Sequence, residues 1–168
     1  MSALTPPARQ IDPRGMRFGA GVSAIVLLVA LVANLPWLAV LVGINLAVSA
    51  AFGTRLFLPS RPWPAVRRAL RLAPPIELEH EYPPRFAQTL GAMVVGLATI
   101  AFLLSAPVVA WLLVAAVIAL QTLLAVTGIC VGCRLYFLRW WVPAQIARLF
   151  RRADGWVGTA PRPIRYPD

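Results

Sequence analysis

Cys130-Val131-Gly132-Cys133 is the one stretch of this chain that pairs nucleophilic side chains, and these are its only two cysteines. A C-x-x-C pair can cycle between dithiol and disulfide, or supply two thiolate ligands to a soft metal. It can also be structural, because a cysteine behaves as a small buried apolar residue. In a regular helix a spacing of three puts both sulfurs on one face, and Gly132 lets the backbone leave helical geometry so that they can approach. The pair follows a long apolar run and is expected to close a helix. There the helix dipole opposes a thiolate, and Arg134 is the nearest cation in sequence that can offset it. Two cysteines so close together cannot staple a secreted scaffold.

A second group of candidate residues is the only acidic cluster, Glu77, Glu79, His80 and Glu81, which holds the only histidine. His80 is a candidate third metal ligand beside Cys130 and Cys133, or a base that activates a thiol. The competing reading is an exposed loop whose acids balance nearby arginines, and sequence favours it because nothing in the spacing brings His80 to the cysteines. Asn45, Gln121 and Thr122 lie within apolar runs, where they line a polar passage or join helices. No Asp, Glu, Arg or His falls deep in those runs, which argues against a proton-coupled pump or buried ion pairs. No phosphate loop, Ser-His-Asp order or paired-carboxylate arrangement is present.

The elements that must position these residues are membrane helices. Of 168 residues 60% are hydrophobic and 13% charged, an apolar share beyond that of an ordinary soluble domain. Four apolar runs stand out: Phe18 to Ala33, Trp37 to Phe52, Phe86 to Ala106 and Val108 to about Tyr136. Asn34-Leu35-Pro36 and Ser105-Ala106-Pro107 break them into two hairpins, since proline cannot extend the preceding helix. The first two runs are short for roughly 30 Å of hydrocarbon, so extension into flanking residues such as Leu56 to Leu58 is expected. The fourth is long enough to tilt or to change character near Gly128. The expected architecture is all-α: a 1–17 N-terminal arm, an 18–138 four-helix membrane domain with a 53–85 loop, and a 139–168 basic tail. In the loop, Trp63 to Ala73 interleaves apolar residues with Arg67, Arg68 and Arg71 and reads as a short helix in the headgroup plane.

Sixteen arginines against six acids give a net charge of +10. All sixteen fall in the arm, the loop, the tail and the adjoining end of the fourth run, while the two short turns carry none. By the positive-inside rule both termini and the loop face the cytoplasm. Arginines gathered at run ends suit anionic lipid headgroups and disfavour nucleic acid as a partner. No cleavable signal is evident, so the first helix is expected to stay in the protein. Arg17-Phe18 and Arg85-Phe86 open the two hairpins, and Gly53-Thr54-Arg55-Leu56 matches Gly132-Cys133-Arg134-Leu135. Either the hairpin is duplicated, or the matches reflect what any membrane hairpin ends in. Small residues at Gly19, Gly21, Gly91 and Ala92 permit close helix contacts, within the chain or in a homo-oligomer.

Asp12-Pro13-Arg14-Gly15-Met16-Arg17-Phe18, Pro83-Pro84-Arg85-Phe86-Ala87-Gln88 and Cys130-Val131-Gly132-Cys133-Arg134-Leu135-Tyr136, in that order, resemble the family known as domain of unknown function 4395. The resemblance runs from about Ile11 to Arg139. It implies a small multi-pass protein of the bacterial inner membrane, associated in some cases with thioredoxin-like or sulfurtransferase-type proteins, and implies no established activity. Two readings remain. In one, Cys130 and Cys133 exchange electrons or sulfane sulfur with a cytoplasmic partner of that kind. In the other, the protein is a non-enzymatic membrane carrier or scaffold with structural cysteines.

Overall fold

In the computed structural model, which describes residues 10–136 except Pro74, Ile76 and Glu77, helices α1 (Pro13–Val32) and α2 (Pro36–Phe52) form one hairpin. Helices α4 (Tyr82–Leu103) and α5 (Pro107–Thr127) form the other, and the short α3 (Trp63–Ala69) lies between them. Each of the four long helices has proline at its first or second position, where the missing N–H is not needed. Three of them, of 20, 22 and 21 residues, are long and apolar enough to cross a membrane. Helix α2 has 17 residues, about 26 Å at the usual rise, and is just short of that length. Expected features of residues 1–9 and of the basic tail from Arg139 onward lie outside the described residues, as does Glu77.

Helix boundaries differ from the sequence expectation where capping overrides hydropathy. Helix α1 opens at Pro13, not Phe18, because the Asp12 side chain accepts from Arg14 N at 2.9 Å. Residues expected to belong to a loose arm therefore form its first turn. Helix α4 opens at Tyr82 rather than Phe86, with two prolines in its first turn. Helix α2 does not run on to Leu58. Gly53, at φ 110°, ends it, and two 3-10 turns follow at Thr54–Leu56 and Leu58–Ser60. The run expected to continue to Tyr136 stops at Thr127, where Gly128 takes the left-handed conformation at φ 75°. Helix α3 covers Trp63–Ala69, four residues less than the expected Trp63 to Ala73.

The long helices form a ring in which α1 packs on α5, α5 on α4, α4 on α2 and α2 on α1. Alanine and valine dominate the interior, with Ala30, Ala39, Val95, Ala98, Ala110 and Val114 buried, while Leu41, Ile44, Leu97, Leu112 and others face outward. A protein folding in water would reverse that order. Small residues inside and large apolar ones outside suit helices that pack by close approach in lipid.

Contacts recur pairwise between the halves, as a twofold relation requires. In the first hairpin turn Leu35 N donates to Ala30 O at 2.8 Å, and in the second Ala106 N donates to Ala101 O at 2.9 Å. Asn34 and Ser105 occupy matching positive-φ positions at 52° and 58°. At the other end of the ring, Arg17 of α1 donates to the last carbonyls of α5, and Arg85 of α4 to those of α2. Phe18 meets Trp63 at 5.6 Å between ring centroids, and Phe86 meets Tyr136 at 5.7 Å. Strand β1 (Gln10–Ile11) pairs antiparallel with β2 (Glu79–His80), so the two segments that lead into α1 and α4 bond to each other. An antiparallel pair of equivalent segments is where a twofold axis would pass. The Arg-Phe openings and the proline turns of the suggested repeat thus make matching contacts, whereas the match of Gly53–Leu56 to Gly132–Leu135 does not hold: Gly53 corresponds to Gly128, the other positive-φ glycine, and Gly132 is helical.

Candidate functional site

The cysteine pair sits just past the end of α5, and a series of backbone constraints puts it there. Gly128 N caps the helix on Leu124 O at 3.0 Å. The Thr127 hydroxyl then accepts from Ile129 N at 3.1 Å, turning the chain. Residues 131–136 are helical again, so the pair opens a helical segment and does not close one. That overturns the expectation drawn from the uninterrupted apolar run. The physical reason is the left-handed turn at Gly128, which resets the backbone before Cys130.

Cys130 occupies the capping position of this segment. Its Sγ accepts from Cys133 N at 3.1 Å, and its carbonyl accepts from Arg134 N at 3.0 Å. The two sulfurs are within disulfide bonding distance, with Cα atoms 5.1 Å apart, and both residues are half-buried. Gly132 serves a different purpose from the one its sequence position suggests. It stays within the helical residues, and a Cβ there would lie 2.6 Å from Ala87 Cβ and 2.8 Å from Ala87 Cα. The missing side chain lets the segment lie against α4, with the Phe86 and Tyr136 rings meeting beside it.

Arg134 is exposed. The guanidinium at the turn belongs instead to Arg17, more than a hundred residues away in sequence. Its Nη2 donates to Val126 O at 3.0 Å and to Ala125 O at 3.4 Å, and a Cβ on Gly128 would lie 3.2 Å from the guanidinium carbon. A cation here answers carbonyls that a helix C-terminus leaves without partners. Sequence inspection identified Arg17 only as a hairpin-opening residue. Its match with Arg85 was the signal that the two perform the same task.

The acidic cluster is divided. Glu81 accepts from the buried Thr54 hydroxyl at 3.4 Å and lies 3.9 Å from Arg85, where it balances charge. His80 is exposed on β2, paired with Gln10, and Glu79 pairs with Ile11. Among the described residues no group of three His, Cys, Asp or Glu side chains could hold a metal, so His80 does not join Cys130 and Cys133 in such a group. Within the helices, Asn45 Nδ2 donates to Leu56 O at 3.2 Å and the Ser49 hydroxyl donates to Gln88 Oε1 at 2.7 Å, both of them links between elements. Gln121 Oε1 is buried without a partner, and Thr122 is exposed.

Residues 11–140 match the family described as domain of unknown function, DUF4395. The chain belongs to the DUF4395 family. The match takes in both hairpins, the strand residues from Ile11 onward and the whole Cys130–Cys133 segment, so the features described above fall within the DUF4395 region. No curated protein and no solved structure matches the chain.

Proposed function

We propose that this DUF4395 protein is a four-span membrane thiol protein whose Cys130 and Cys133 exchange electrons or sulfane sulfur with a thioredoxin-like or sulfurtransferase-type partner at the cytoplasmic face. The observation that carries this reading is the pairing of the two sulfurs at a capped, half-exposed position on the arginine-bearing end of the helix ring. The hairpin turns at Asn34 and Ser105 lie at the opposite end and carry no charge, so the positive-inside rule favours both termini and the 53–85 loop facing the cytoplasm. In the bilayer α2 spans with the others, its short length met by local thinning or by tilt of its neighbours. Helix α3, with exposed Arg68, and the residues that follow it, exposed Leu70, Arg71 and Leu72, lie among anionic headgroups.

The chemistry balances with a partner of that class. Cys130 thiolate attacks the partner's disulfide, forming a mixed disulfide and releasing one partner thiolate. Cys133 thiolate then attacks Cys130 Sγ, closing the internal disulfide and releasing the second. Two electrons pass to the partner, which takes up the two protons the cysteines have lost. With a persulfide partner, Cys130 thiolate takes the outer sulfur and releases the partner thiolate. Cys133 then closes the disulfide and expels hydrosulfide.

Thiol trapping in intact bacterial membranes tests this reading. Free thiols are blocked with a small alkylator, disulfides are reduced, and newly exposed thiols are mass-tagged. A double shift that appears only after reduction and responds to cellular redox stress supports the thiol function. Thiols free under every condition, or a Cys130→Ser variant with full function in a null strain, would sink it and leave the carrier or scaffold reading.

A further inference from the structure

The two halves of the ring differ in one electrostatic respect. Arg17 and Arg85 hold equivalent places, each donating to the last carbonyls of the other hairpin's second helix beside a positive-φ glycine. Arg85 has a counter-charge, because Glu81 lies one helical turn before it at 3.9 Å. Arg17 has none among the described residues. Four positions before it stands Pro13, and the nearby acid, Asp12, is taken by Arg14 N at 2.9 Å, Trp63 Nε1 at 2.8 Å and Arg67 at 3.8 Å. The carbonyls that Arg17 binds are neutral and leave its charge intact. The neutralised arginine stands beside the Gly53 turn, which leads to Thr54. The unneutralised one stands beside the Gly128 turn, which leads to Cys130.

We propose that Arg17 is a positioning residue for the thiol pair: it holds the Gly128 turn in place, and its guanidinium charge, which no acid among the described residues neutralises, favours the Cys130 thiolate. This inference rests on the thiol function proposed above. The Cys133 N–H reaches the Cys130 sulfur by direct hydrogen bond, and the Arg17 guanidinium stands at Gly128, two residues before it, so that under this proposal its charge adds to that hydrogen bond in favouring the thiolate. That makes Cys130 the attacking cysteine and Cys133 the resolving one. The nearest other charges in the chain are Arg134, exposed on the pair's own segment, and Arg85 on α4, against which that segment lies; Arg85 is paired with Glu81 and donates to the end of α2.

The test uses full-length protein in lipid nanodiscs, with two readouts: the pH profile of iodoacetamide alkylation of the reduced pair, and its midpoint potential against glutathione. Arg17→Gln is expected to slow alkylation at pH 7 roughly three- to tenfold, as removal of a nearby cation lowers the thiolate fraction. The midpoint should become more negative, because the reduced form loses its stabilisation. Arg17→Lys should stay within about twofold of wild type, and Arg85→Gln should leave the thiol profile unchanged.

Pro13→Glu copies the Glu81–Arg85 spacing onto α1 without removing the cap. It should reproduce the Arg17→Gln effect, and it carries the test if Arg17→Gln does not fold. Wild-type alkylation rates in Pro13→Glu or in folded Arg17→Gln, or equal losses in Lys and Gln variants, would overturn the role of Arg17. A wild-type pair with no measurable midpoint would instead remove the underlying thiol reading.

Discussion

Gly132 lies so close to Ala87 that the segment bearing the cysteines has no room for a Cβ at that position. The obstruction includes the Ala87 Cα, which cannot rotate away. Gly132→Ala should therefore lift the segment from α4 and destabilise the protein by about 1–3 kcal/mol, the usual range for overpacking. Adding Ala87→Gly should recover part of the loss, since it removes the 2.6 Å contact and leaves the one at 2.8 Å. Thermal unfolding in a mild detergent measures both variants. A fully tolerated Gly132→Ala would mean that the segment does not rest on α4.

Ser49 and Gln88 form a buried hydrogen bond between α2 and α4, with Gln88 Nε2 left without a partner. Ser49→Ala would also strip Oε1 of its partner, leaving the whole amide unsatisfied. Hydrogen bonds between membrane helices contribute about 0.6–2 kcal/mol, and a loss of that size is expected. Ser49→Ala combined with Gln88→Leu should be less destabilising than Ser49→Ala alone, because no orphaned amide remains. Unfolding of the three variants gives the comparison, and a double variant weaker than Ser49→Ala would contradict it.

The helices were legible because each is a long apolar run, and Pro36 and Pro107 mark the hairpin turns directly. Capping was less so. Asp12 extends α1 into residues that composition assigns to a loop, because its side chain bonds Arg14 N. The cysteines depart furthest from what hydropathy implies. Hydropathy continues smoothly through Gly128, and only the backbone conformation of that glycine shows that one helix ends and another begins. The contribution of Arg17 was hidden for a different reason. Its partners are backbone carbonyls, which leave no mark on the sequence of the residues that supply them. Only the likeness of Arg17-Phe18 to Arg85-Phe86 pointed to it, and that likeness did not say what either arginine touches.

The two hairpin turns offer a paired test of backbone strain. Asn34 and Ser105 both hold positive φ, which costs serine more than asparagine and costs glycine nothing. Ser105→Gly should stabilise the protein by about 0.5–1 kcal/mol. Asn34→Gly should not, because the Asn34 side chain accepts from Trp111 Nε1 at 3.1 Å and ties the first turn to α5. Parallel melts of the two variants would show the asymmetry. Equal gains would mean that the Trp111 contact contributes nothing.

The orientation of the ring makes a prediction that does not depend on the thiols. Asn34 and Ser105 are exposed at one end, Arg61 and His80 at the other. In a Cys130→Ser/Cys133→Ser background, single cysteines at these four positions can be probed with a membrane-impermeant maleimide. If the arginine-rich end faces the cytoplasm, intact spheroplasts should label Asn34→Cys and Ser105→Cys, while Arg61→Cys and His80→Cys should label only after the membrane is opened. The reverse pattern would invert the topology and place Cys130 and Cys133 on the outer face, away from any cytoplasmic thioredoxin-like partner. Labelling at both ends in intact cells would mean that the ring does not seal the bilayer between them, which the absence of ionisable residues from the interior of the spans argues against.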